Sequence, residues 1–176
     1  MKLLAPEDWM RLLTGCRREA VHLEMRDVYA VADEKDRFAR WQAGRPPTPA
    51  EDEEYWADWT DMIGQITGSG RMVRRARIVS EPVTDYIRYE HEGTAFNIAA
   101  GEQVRWLPRR HASDLALPGN DFWLIDSATV VFNHFTGDGE WAANEITADP
   151  RAAALCGTAF EAVWQRAIPH QDYLLA

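Results

Sequence analysis

The sequence predicts an α+β fold: a helical N-terminal portion with one strand, packed on a mixed sheet that ends in an antiparallel meander and is closed by a C-terminal helix. Three observations predict it. Residues 1–68 carry apolar side chains at helical spacing with one stretch of strict alternation, residues 71–146 read as strands interrupted by one helix, and Asp149-Pro150 opens a last helical run. At 176 residues the chain has the size of one domain, 1–176, with a mainly helical subregion at 1–68 and a sheet-containing subregion at 71–176.

The elements follow in order. Pro6-Glu7-Asp8 starts a short helix in which Trp9, Leu12 and Leu13 share a face up to Gly15. From Ala20 to Asp27, Val21, Leu23 and Met25 alternate with His22, Glu24 and Arg26, the period of a strand with one buried face. Asp33 is the expected cap of a helix that turns Phe38 and Trp41 inward and stops at Gly44-Arg45-Pro46-Pro47. Thr48 caps a helix to Gly68, whose acidic start, Glu51-Asp52-Glu53-Glu54, suits the positive end of the helix dipole.

After the turn Gly68-Ser69-Gly70, Met72–Val79 reads as a strand, 82–93 as a helix capped by Thr84 or Asp85, and Gln103–Leu107 as a strand. The run Asp121-Phe122-Trp123-Leu124-Ile125-Asp126 is apolar on both faces and belongs in the middle of a sheet. A turn at Ser127-Ala128 and another at Thr136-Gly137-Asp138-Gly139 join it to strands 129–135 and 140–146 as a meander. The last helix begins behind the Asp149 cap with proline at its first position and ends near Ala167.

Composition removes several function classes. No apolar run reaches the ~18 residues of a membrane span and the first residues carry acids, so a cytoplasmic protein without a membrane role is expected. Cys16 and Cys156 lie far apart with no CxxC or Cys/His spacing, which predicts reduced thiols and no zinc site. The five histidines form no HxH or HExxH pattern, so no metal and no cofactor is expected. Direct nucleic-acid binding is disfavoured by a net charge of -9, and the glycine-rich pieces lack the lysine and serine or threonine of a phosphate loop.

Charge is nevertheless unevenly placed. Between residues 71 and 110 stand eight arginines against five acids, while 51–61 holds six acids and no base. Guanidinium groups match phosphate and carboxylate in a bidentate way, so Arg75, Arg77, Arg88 and Arg105 are candidates for holding a small anionic ligand. Internal pairing with Glu81, Asp85, Glu90 and Glu102 is the competing use of the same arginines. Tyr86, Arg88, Tyr89, Glu90, Asn97 and Glu102 supply the mixture of ring, cation, amide and carboxylate that polar pockets use. His134, with Asp126 and Glu90, is the weak candidate set for acid and base chemistry. Apolar surface around Trp56, Trp59 or Trp141 would instead mark a homodimer face.

The strings RREAVHLEMRDVY, EPVTDYIRYE, NIAAGEQVRWLPR, DFWLID and DPRAAALCGTAFEAVWQRAIPHQDY resemble an uncharacterised actinobacterial domain family. That resemblance implies a helix-turn-helix regulator as a partner, because such domains are often encoded beside one. The order strand, helix, strand, then a strand ending in Asp126 is similar to one half of the phospholipase D-like fold. Active members of that fold carry His-x-Lys and then Asp; with Asp126 at the aspartate, the histidine and lysine positions hold Gly119 and Asp121. The resemblance therefore implies a catalytically degenerate half-domain. The function expected is a non-enzymatic regulatory or interaction protein that senses a small anionic ligand or binds such a regulator; the alternative is a hydrolase or transferase acting on an anionic substrate.

Overall fold

The computed structural model describes residues 1–32 and 34–176, with the side chains of Pro6 and Glu7 excluded. The strands are β1 (Lys2–Leu4), β2 (Glu19–Glu24), β3 (Met72–Val79), β4 (Gln103–Pro108), β5 (Asp121–Ile125), β6 (Thr129–Phe135), β7 (Trp141–Thr147) and β8 (Ile168–Pro169). The helices are α1 (Pro6–Thr14), α2 (Lys35–Gln42), α3 (Pro49–Gly68), α4 (Asp85–Ala99) and α5 (Pro150–Arg166). All eight strands join one mixed sheet in the order β1-β7-β6-β5-β2-β3-β4-β8, so the α+β class holds among the described residues. Strands β2, β3 and β4 run parallel, and β5, β6 and β7 form the expected antiparallel meander.

Helices cover both faces of the sheet. α5 packs Cys156, Phe160, Val163 and Trp164 onto Val21, Leu23, Ala76, Ile78, Phe122 and Leu124. On the other face α1 and α3 bring Leu13, Met62, Ile63 and Ile66 onto Ala20, Val73, Trp123 and Val131. α4 adds Tyr86 and Ile87 beside Val104 and Trp106. Because side chains alternate along a strand, Arg75 and Arg77 share the α3/α4 face with Val73 and Val79, whereas Arg74 faces α5.

Local chemistry sets the boundaries. Thr48 and Glu51 form a reciprocal capping box at the start of α3, Thr84 accepts from Ile87 N at 3.2 Å to open α4, and Asp149 accepts from Arg151 N at 2.8 Å to open α5. Strand β2 stops at Glu24 rather than Asp27, since the next amide, of Met25, leaves the ladder and donates to Asp121 Oδ1 at 2.9 Å. α4 passes through Gly93 and continues to Ala99. Gly93 is a packing residue rather than a stop, because a β-carbon there would lie 3.3 Å from the Trp56 ring. The helix ends before Gly101, whose φ of +91° and close approach to Thr67 admit only glycine.

Two short edge strands, β1 against β7 and β8 against β4, lie outside the sequence expectation, being too short to show a period. Asp33, the expected cap of α2, lies outside the described residues. The acidic start of α3 meets α2 and not the 71–110 arginines: Arg37 pairs with Asp52, and Arg40 Nη1 lies 2.9 Å from Glu51 Oε1. Cys16 and Cys156 are free and buried, and no described helix is long and apolar enough to cross a membrane.

Phe160 is buried at the centre of the α5 face. Phe160→Ala is expected to cost about 3–5 kcal/mol in urea unfolding, and a loss below about 1 kcal/mol would show that α5 is not packed as described.

Candidate functional site

The α3/α4 face departs from ordinary packing where β2 and β3 run side by side. Their register sets His22 opposite Arg75 and Glu24 opposite Arg77, and β5 places Trp123 opposite His22. Four charged or polar residues thus enter a buried layer that hydrophobic side chains fill elsewhere. α4 projects Tyr86, Glu90 and Asn97 over them, α3 contributes Trp56 and Trp59, and the loop after β2 lays Tyr29 and Val31 across the opening. Together with Asp121, Asn133 and Phe135 they enclose a cavity of about 280 Å³.

A chain of ion pairs runs beneath it. Arg75 bonds Glu102 Oε1 through Nε at 2.7 Å and pairs with Glu24 through Nη1. Arg77 lies 2.6 Å from Glu24 Oε2 and 2.6 Å from Glu90 Oε2. Asn97 Nδ2 donates to the second Glu102 oxygen at 2.7 Å. Both arginines are more than nine-tenths buried, as are Glu24, Asn97 and Glu102. Such charges stay in a protein interior only when paired.

The titration shifts follow from that arrangement. Burial opposes the charge on Arg75, but Glu102 and Glu24 more than offset it and raise its pKa. Burial raises Glu24, and the two arginines outweigh that and bring it below the usual carboxylate range. His22, stacked on Trp123 with ring centroids 4.2 Å apart, is held neutral by burial with its pKa lowered to about 3. Asp121 is raised to about 6 by burial, although it accepts from Tyr29 Oη and Met25 N.

The network uses most but not all of its polar atoms. Arg77 Nη1 and Trp59 Nε1 are buried donors without a hydrogen-bond partner; Arg77 Nε, though close to Glu24, lies off the line a hydrogen bond needs. His22 Nδ1 and Asn133 Oδ1 likewise lack an aligned partner. All four residues line the cavity. Among the described residues no group of three or more His, Cys, Asp or Glu could hold a metal ion.

Of the residues singled out from sequence, Arg75, Arg77, Tyr86, Glu90 and Asn97 line this cavity and Glu102 stands directly behind it. Arg88 is not among the lining residues. Arg105 belongs to the opposite face, donating to the Trp164 carbonyl at 3.0 Å with its guanidinium 4.4 Å from that ring. Trp56 and Trp59 line the cavity, while Trp141 is 47% exposed.

The candidate acid and base residues do not converge. Asp126 sits in the β5–β6 turn at φ +51°, where its carboxylate accepts from the backbone N–H groups of Arg17, Arg18 and Glu19. Burial raises its pKa, but those N–H groups prevail and lower it. The turn centres on Asp126-Ser127, one residue earlier than the Ser127-Ala128 expected from sequence. His134 lies at the far end of β6 in the alternation that carries Val130 and Phe132 toward α5, and its Nε2 is 3.1 Å from Glu145 Oε2. Glu90 alone reaches the cavity.

The sequence does not single out Glu24, Tyr29, Asp121 or Trp123 for this site, nor the stacking of His22 on Trp123. The signal lay in the β2 alternation, whose polar face reads as solvent-facing until both faces of the strand are known to be covered.

A family model matches residues 7–175 of the chain. The chain belongs to the family described as Domain of unknown function (DUF6879). No curated protein matches this DUF6879 chain. Among solved structures it is similar to NucT from Helicobacter pylori, at 8% identity and a TM-score of 0.54, over 93% of this chain and 89% of that one. At that identity the likeness concerns the fold alone. Asp121 lies in the cavity wall of this DUF6879 domain.

The shifted groups give stability a signed pH dependence. The unfolded chain titrates Asp121 near about pH 4, so between about 4 and 6 the native state holds the extra proton and this group makes stability fall as pH rises. His22 acts with the opposite sign, since from its ordinary 6.5 down to about 3 the unfolded chain binds the proton first and stability is lost on acidification. Asp121→Asn should therefore make stability rise more steeply from pH 4 to 6 than in the wild type, measured by urea titration at each pH. An unchanged slope would show that Asp121 titrates normally.

Proposed function

We propose that the chain is a non-enzymatic regulatory module that binds a small molecule in the cavity between β2, β3 and the α3/α4 layer. The observation that carries this is the pair of buried donors, Arg77 Nη1 and Trp59 Nε1, left without acceptors in the wall of a preformed cavity. An unsatisfied buried donor costs about 1–3 kcal/mol, and a ligand that supplies acceptors recovers it. The cavity lies at the lower end of the volume range of small-molecule sites, which limits the occupant to a small metabolite.

The regulatory half of the proposal rests on the sequence resemblance, with a helix-turn-helix regulator in the cytoplasm as the partner that would read the occupied state. A degenerate phospholipase D-like scaffold remains our reading of the fold, supported by the whole-chain likeness to NucT. The alternative of an enzyme acting on an anionic substrate has lost its proposed machinery, because Asp126 is engaged with backbone amides and His134 stands on the opposite face from Glu90.

Native mass spectrometry of freshly isolated protein is expected to show a retained small mass that Val31→Trp, which fills the cavity from its lining loop, abolishes without loss of folding. Absence of any retained mass, together with no binding from a fractionated small-molecule extract, would overturn the proposal.

A further inference from the structure

The charge around the cavity bears on what it accepts, an inference that rests on the ligand-binding reading above. The wall holds two guanidinium groups, Arg75 and Arg77, and the carboxyl groups of Glu24, Glu34, Glu90 and Asp121, with Glu102 directly behind Arg75. Each arginine already has two carboxylate partners. The arginines that suggested an anionic ligand are thus neutralised within the protein, and carboxyl groups outnumber them. An incoming anion would be desolvated against an excess of negative charge. A cation would complete the set.

The remaining wall chemistry agrees. Trp9, Trp56 and Tyr29 bring aromatic surface to the cavity, and aromatic faces attract cations, as Phe135 in the same wall shows with the Arg26 guanidinium 5.1 Å from its ring centroid. Arg77, 5% exposed, and Trp59 each offer an unpaired N–H, so the occupant must also present an acceptor. We propose that the cavity takes a small organic cation bearing an oxygen acceptor: an ammonium compound whose positive group lies among Glu34, Glu90 and Asp121, and whose oxygen receives the N–H groups of Arg77 and Trp59.

Two probes of similar size and opposite charge test this on the full chain by isothermal titration calorimetry, with thermal shift as a second readout. Phenylalaninamide carries an ammonium and a carbonyl oxygen; 3-phenylpropanoate carries the same ring and a carboxylate. At millimolar concentration phenylalaninamide is expected to bind and raise the melting temperature while 3-phenylpropanoate does neither, and Glu90→Gln should weaken the amide at least about tenfold. Equal or tighter binding of 3-phenylpropanoate would overturn the cation assignment and leave the ligand-binding reading standing. Binding of neither probe would also overturn the assignment, and the retained mass in the wild-type protein then decides the ligand-binding reading separately. If Glu90→Gln does not fold, Asp121→Asn carries the same test.

Discussion

Two arginines on adjacent inward positions of a buried strand are the constraint to which the rest of this molecule answers. Removing a guanidinium from water costs several kcal/mol, and Arg75 and Arg77 recover it only if Glu24, Glu90 and Glu102 arrive from three different places. Glu24 requires β2 beside β3 in one register, because a slip by one residue would turn both arginines toward the apolar α5 layer. Glu90 fixes the position of α4 above the sheet. Glu102 arrives because the chain turns back at Gly101, which Thr67 secures from α3 by donating to the Ala100 carbonyl at 2.7 Å. The network therefore couples strand register, helix placement and loop geometry.

The sheet divides its work between its faces. Against α5 the strands supply aliphatic and aromatic side chains, and charged residues at that interface lie over rings, with Arg74 over Phe160 and Arg105 over Trp164. Against α3 and α4 the layer is interrupted by paired charges that aliphatic packing cannot replace without stranding one of them. The cavity follows from that interruption. Aromatic residues from α1, α3 and β5 border the gap, and the loop carrying Tyr29 is tied across it to Asp121.

Much of this was legible in the sequence wherever a periodic pattern or a cap marked it. Thr48, Thr84 and Asp149 open the helices they were expected to open, and the two-sided apolar run at Asp121–Ile125 lies in mid-sheet. The alternation in β3 also put Arg75 and Arg77 on one face and Arg74 on the other. What stayed hidden depends on tertiary context. Glu24 and His22 look like the wet side of an edge strand, and only the position of β2 between β3 and β5 shows that this side is covered. Asp121 reads as a strand terminus, yet it takes part in holding the loop over the cavity. Arg105 and Arg77 have the same residue type, but strand parity separates them onto opposite faces.

This cavity, with Arg77 and Trp59 in its wall, is where we propose that the protein meets a ligand. The most direct test is a nitrogen-resolved NMR titration that follows the Trp59 indole and Arg77 guanidinium signals while fractions of a small-molecule extract are added. Both signals are expected to move together with one active fraction, while the Trp164 indole on the α5 face stays fixed. Movement confined to Trp164, or no movement at Trp59 and Arg77 with any fraction, would contradict it.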